Sequence, residues 1–143
     1  MTLVDRFEEY ARDFERTFTD DNWTRLERHF TEDAVYSTPA NALRVAGREK
    51  VLATLRAAVS GFDRRCDTRS LASTEGPREG GNEVFRRWVA RFTVAAAPDL
   101  EIDGSERARF RGERIELLEV TLTQETLARL MNYAATYVAS RGR

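Results

Sequence analysis

Residues 23–51, WTRLERHFTEDAVYSTPANALRVAGREKV, decide the fold. Trp23, Leu26 and Phe30 stand three and four apart, which predicts a short amphipathic helix over about 22–30, ending at Glu32-Asp33. Asp20-Asp21-Asn22 offers N-cap chemistry at its start. The run Ala34-Val35-Tyr36-Ser37-Thr38 reads as a strand stopped by Pro39. After a loop, Gly47-Arg48-Glu49-Lys50-Val51 opens another helix, carried on by Leu52, Leu55, Val59 and Phe62 and ended near Gly61.

Upstream, Leu3, Phe7, Tyr10, Phe14 and Phe18 form one apolar stripe, predicting a helix over about 2–18. Downstream of Arg65 the period changes to two. Residues 66–75 read as a weak strand and 75–82, with Gly76-Pro77 and Gly80-Gly81-Asn82, as a hairpin loop. Val84, Arg86, Trp88, Ala90, Phe92 and Val94 alternate along one strand, and Ile102, Gly104, Glu106, Ala108 and Phe110 along the next. Arg111-Gly112-Glu113 is a turn, and 115–122 is the last strand. Thr123 is placed to cap a final helix whose stripe is Leu127, Leu130, Met131, Ala134 and Val138, with a frayed tail at Arg141-Gly142-Arg143. Helices first, then antiparallel strands, then a helix, define an α+β domain over 1–143.

The bulk numbers narrow the function classes. A chain of 143 residues, 41% hydrophobic and 33% charged, suits one soluble globular domain with a real core. A formal net charge of −1 argues against a general nucleic-acid or membrane binder. Lys50 is the only lysine, a bias attributed to codon usage. Cys66 is the only cysteine, so no disulfide closes within the chain and no multi-cysteine metal site is expected. The residues after Met1 have neither a basic region nor a long apolar run, so a cytoplasmic location is expected.

The sequence resembles the NTF2-like superfamily, the cone-shaped α+β fold that includes SnoaL-like cyclases and ketosteroid isomerases. The resemblance rests on Trp23, Leu26 and Phe30, on Asp33-Ala34-Val35-Tyr36, on Gly47 with Glu49 and Val51, and on Gly112-Glu113-Arg114-Ile115. It implies a curved antiparallel sheet wrapped by three N-terminal helices, one deep pocket per chain, and dimerisation through the sheet. The isomerase branch has a first-helix tyrosine, an aspartate base before the proline that ends the first strand, and a protonated aspartate on a later strand. Those places fall on Phe14, Thr38 and the neighbourhood of Glu106. Threonine cannot take a carbon-bound proton at neutral pH, so the steroid isomerase reaction is not expected.

Glu106 stands out without any family. It lies on the apolar set of its strand, where a carboxylate costs several kcal/mol (about 2–7 for a polar group) unless paired, protonated or wetted. It is either an ion-pair partner of Arg86 or a pocket acid, unless the strand phase is otherwise. Tyr36 and Thr38 share a face directed into the cone, where they would orient a ligand; Trp88 and Phe92 would form the wall. His29, the only histidine, sits at the edge of its stripe and reads as a partly exposed helix residue. Arg87, Arg91, Arg107 and Arg109 share the outer face with Glu101 and Asp103, and read as an ion-pair surface.

The expected function is therefore binding of a small, largely apolar molecule in the cone. Any turnover would be cofactor-free acid–base chemistry with Glu106 as acid or base. The alternative is a non-catalytic dimeric module with a filled cone. A homodimer is expected because Leu118, Val120 and Leu122 alternate opposite Ile115 and Leu117, leaving both faces of the last strand in need of cover.

Overall fold

A computed structural model describes residues Met1–Arg141. Helix α1 (Leu3–Asp20) starts from a reciprocal cap: the Thr2 hydroxyl accepts from the Asp5 amide while the Asp5 carboxylate accepts from the Thr2 amide. A 3-10 helix (Trp23–His29) leads into β1 (Phe30–Thr38), then β2 (Leu43–Ala46) and α2 (Arg48–Gly61). Four long strands follow: β3 (Thr68–Gly80), β4 (Glu83–Thr93), β5 (Leu100–Arg111) and β6 (Arg114–Thr121). Helix α3 (Gln124–Tyr133) closes the order and runs into a π-helical turn, Ala134–Val138. Thr123 does cap α3, its hydroxyl accepting from the Thr126 amide at 3.0 Å.

The strands form one curved sheet in the order β2-β1-β6-β5-β4-β3. All neighbours are antiparallel except β1 and β6, which run parallel. That parallel pair joins elements about eighty residues apart, and local periodicity carries no trace of it. On the concave side, Phe7 and Tyr10 of α1, Leu26, and Val51 and Leu55 of α2 pack on Phe30, Phe110, Ile115 and Leu118. A second cluster, under α3, joins Tyr133 and Val138 to Trp88, Ala90, Phe92 and Ile102.

Several local expectations are corrected. The helix expected over 22–30 is 3-10, and Phe30 already starts β1, so that strand has nine residues and not the five expected. Asn22 makes no side-chain cap; Asp21 instead accepts from the Trp23 indole at 2.7 Å. The Gly76-Pro77 stretch is not a loop. It sits in β3, an edge strand, where the register shifts between Ser73 and Arg78. Gly76 takes φ +79 there, and a Cβ would lie 2.7 Å from the Phe85 carbonyl oxygen. Bulges on an edge strand absorb Gly and Pro that a central strand would reject. The actual turn is Gly81-Asn82.

The last strand is also corrected. Arg109 pairs with Leu117 and Phe110 with Ile115, which leaves Glu116 as an extra residue. That bulge reverses the side-chain parity, so Ile115, Leu118 and Val120 all reach the inner core. Leu117 alone is left for the outer side, beside Val35. The two-faced apolar strand that suggested a homodimer is thus largely one-faced. The outer face carries Arg91–Glu101 at 2.8 Å, Arg107–Glu83 at 2.5 Å and Arg109–Glu116 at 3.1 Å. Of the expected frayed tail, Arg141 bonds the Asp67 carboxylate at 2.5 Å, whereas Gly142 and Arg143 lie outside the described residues. No helix among the described residues is long and apolar enough to cross a membrane.

Candidate functional site

Between the concave face and helices α1 and α2 lies a cavity of about 410 Å3. Its walls are largely apolar: Phe14 from α1, Leu55 and Val59 from α2, Trp88 from β4, and Leu118 and Val120 from β6. The β4–β5 register sets Trp88 opposite Gly104. A Cβ on Gly104 would stand 2.7 Å from the Trp88 indole and 2.8 Å from the Leu122 side chain, so the missing side chain is what lets the ring lie across β5.

The same register sets Arg86 directly opposite Glu106. Arg86 Nε donates to Glu106 Oε1 at 2.8 Å, and a terminal guanidinium nitrogen reaches the same oxygen at 2.8 Å. Glu106 is buried and Arg86 mostly so, 9% and 13% exposed, so this is a largely interior charge pair facing the cavity. The guanidinium also lies 5.1 Å from the centre of the Phe7 ring, and another of its nitrogens donates to Ser73 Oγ at 3.4 Å. Because both contacts fall on Oε1, Glu106 Oε2 has no hydrogen-bond partner among the described residues.

Two tyrosines complete the polar part. Tyr36 from β1 and Tyr10 from α1 both line the cavity, 9% and 3% exposed. Burial pushes both phenols above their ordinary value of 10.0, and the nearby Glu106 charge pushes them further. Both therefore remain protonated donors. Towards the rim, Arg69 is gripped by Glu15 at 2.5 Å and Asp63 at 2.7 Å and lies 4.7 Å from the Phe18 ring centre. Burial raises the Asp63 carboxyl above its ordinary value, against the opposing pull of Arg69.

Of the residues singled out in the sequence, Glu106, Arg86, Tyr36 and Trp88 meet at this cavity. Thr38 and Phe92 are not among its lining residues. Thr38 shares the Tyr36 face but ends its strand, and its hydroxyl donates to the Asn41 side chain. Phe92 lies beyond Trp88 along the curved strand and packs on Phe62 at 4.9 Å between ring centres, in the cluster under α3. Phe14, at the expected place of a first-helix tyrosine, is an apolar wall; Tyr10, one turn earlier, brings a hydroxyl to the cavity. Tyr10, Asp63 and Arg69 were missed. Tyr10 lies on the α1 stripe, and periodicity cannot distinguish a core aromatic from one whose hydroxyl reaches open space.

His29 is corrected as well. It is buried, and its Nε2 lies 2.8 Å from Asp13 Oδ2, away from the cavity lining. Arg28 donates to the same carboxylate at 2.6 Å. Burial would raise the Asp13 carboxyl, but the His29 and Arg28 hydrogen bonds win and hold it below its ordinary value of 3.8. A lowered folded-state value means a contribution that is complete above 3.8 and lost as pH falls through the folded value. Asp13→Asn should lower stability by about 1.5–3 kcal/mol at pH 7. Urea unfolding between pH 2.5 and 7 should then show the difference from wild type shrinking below pH 4. A difference constant with pH would remove the charge from the account.

Comparison with known proteins agrees with this architecture. Residues 11–118 match the family model described as a SnoaL-like domain. An NTF2-like protein of unknown function from Burkholderia pseudomallei superposes with TM-score 0.66 at 15% identity, covering 91% of this chain and 98% of that one. A protein with a ketosteroid isomerase-like fold from Catenulispora acidiphila, solved with trimethylamine, gives TM-score 0.62 at 20% identity, with 86% and 92% covered. An LEH-like epoxide hydrolase from M. tuberculosis gives 0.62 at 12% identity, with 87% and 88% covered. No curated protein matches the sequence. At such identities the structures speak for the fold alone, but the family model spans most of the chain: it belongs to the SnoaL-like domain family, with the NTF2-like fold.

Proposed function

We propose that this protein binds a small, largely apolar molecule in the cone cavity, and that turnover there is cofactor-free acid–base chemistry centred on Glu106. The observation that carries the reading is the cavity itself: about 410 Å3 of open space with largely apolar walls, into which the buried Glu106–Arg86 pair faces. Sites for small ligands have this composition, with few polar groups set in an apolar lining. A filled-cone interaction module would need that space occupied by side chains. Glu106 supports the acid–base part because one carboxylate oxygen is held by Arg86 while the other is free to exchange a proton. Tyr36 would orient the ligand and Trp88 would bound it. The family resemblance adds that proteins of this fold carry names such as epoxide hydrolase and polyketide cyclase.

The test uses N-phenyl-1-naphthylamine, a neutral apolar dye that brightens on leaving water. The wild-type protein should bind one dye per chain. Ala58→Trp, an exposed lining position at the rim, should block binding without lowering the melting temperature. Equal dye binding by wild type and variant would place the dye elsewhere and count against the cavity as the binding site.

A further inference from the structure

The exposed residues among those lining the cavity mark its mouth: Arg12 and Glu15 on α1, Ala58 near the end of α2, and Ser73 on β3. A ligand reaches the interior where these three elements meet. The Glu15–Arg69–Asp63 chain joins the same three, since Asp63 just follows α2 and Arg69 is on β3. Among the described residues, Glu15–Arg69 is the only ion pair between α1 and β3. The two halves of the chain are unequal. The Arg69 side chain is only 4% exposed and Asp63 is 21% exposed; Arg69 Nε donates to Asp63 Oδ2 at 2.7 Å while its guanidinium rests 4.7 Å from the Phe18 ring centre. That half is a fixed post. Glu15 is 50% exposed and accepts from a terminal nitrogen of Arg69 at 2.5 Å. A half-exposed carboxylate exchanges such a partner for water at little cost, and salt screens the pair further. Turning Glu15 out to solvent unties α1 from β3 and leaves Arg69 seated on Asp63 and Phe18.

We infer that the Glu15–Arg69 pair is the latch of this cavity: closed, it ties α1 to β3 across the mouth; open, it lets a ligand in or out. The inference rests on the cavity being a ligand site. A latch acts on the path and not on the end states. A ligand seated deeper, equally well bound with the latch open or closed, gains no affinity from either state. Weakening the latch therefore raises the rates of entry and release by one common factor and leaves the affinity where it was.

The experiment follows entry and release of N-phenyl-1-naphthylamine by stopped-flow fluorescence on the full chain; the dye is neutral, so charge substitutions do not steer it. Glu15→Gln should speed both processes by about threefold to fivefold, with affinity unchanged within about twofold. Raising the salt from about 0.05 M to about 0.5 M should speed exchange in wild type and have much less effect in the variant. Glu8→Gln removes an exposed charge from α1 at a residue with no ion-pair partner among the described residues, and should leave both rates as in wild type. Circular dichroism melts establish that each variant is folded, which the exposure of Glu15 and Glu8 favours. Normal dye binding with unchanged rates in Glu15→Gln, or an equal acceleration by Glu8→Gln, overturns the latch and leaves the cavity as a binding site. A change in one rate only, with affinity moving to match, also overturns it, since Glu15 would then touch the dye. Failure of wild type to bind the dye overturns the latch and the binding reading together.

Discussion

Arg86→Ala is expected to destabilise the protein by about 3–5 kcal/mol, a large effect for one substitution. The substitution leaves the Glu106 carboxylate in the interior after removing both nitrogens that reach Oε1 at 2.8 Å. It also removes the cation lying 5.1 Å from the Phe7 ring. The cost is chiefly that of a stranded charge, so deleting both partners should cost much less. Arg86→Met combined with Glu106→Leu is expected to recover most of the loss, since apolar replacements of similar volume suit this face. Urea unfolding at neutral pH of wild type, both single variants and the double variant measures the coupling directly. A single-variant loss under about 1 kcal/mol would mean that water entering through the cavity already solvates Glu106.

Removing residues 123–143 is expected to abolish cooperative unfolding. Helix α3 and its π-turn bring Tyr133 and Val138 onto Trp88, Phe92 and Ile102, with Leu130 and Tyr137 packed beside them. Tyr133 also donates to the Pro98 carbonyl at 2.7 Å, fixing the β4–β5 turn. Uncovering three large side chains costs on the order of 5 kcal/mol or more, comparable with the whole stability of a domain this size. No α3 residue is among those lining the cavity. The helix therefore covers the other half of the sheet and serves as part of the core. Thermal melts by circular dichroism, with dye binding alongside, check this. An unchanged melting temperature would show α3 to be a loose appendage.

The α+β class and the strand phases were legible because alternation along β4 and β5 is strong and both strands are central, so one face must be buried. The same alternation placed Glu106 and Arg86 on a shared inner face, and the structure pairs them at the wall of the cavity. What escaped was non-local. The parallel pairing of β1 with β6 and the approach of Asp13 to His29 across sixteen residues leave no pattern within a sequence window. The Glu116 bulge reversed a parity that period-two reading assumes constant. Phe92 was assigned to the cavity with Trp88 because alternation gives the face but not how far along it the cavity extends: Trp88 lines the cavity, whereas Phe92, farther along the strand, packs on Phe62.

The indole of Trp88 crosses the strand only because Gly104 opposite has no side chain. Positions 88 and 104 thus behave as lock and spacer: volume can be moved from one to the other without touching the charge pair two register positions away. A smaller residue at 88 would lengthen the chamber, and a larger one at 104 would refill it. Lineages descended from such a scaffold could change which molecules they admit by exchanging bulk across this one rung, while the proton-handling group stays where it is. Ligand scope and chemistry would then evolve on separate dials.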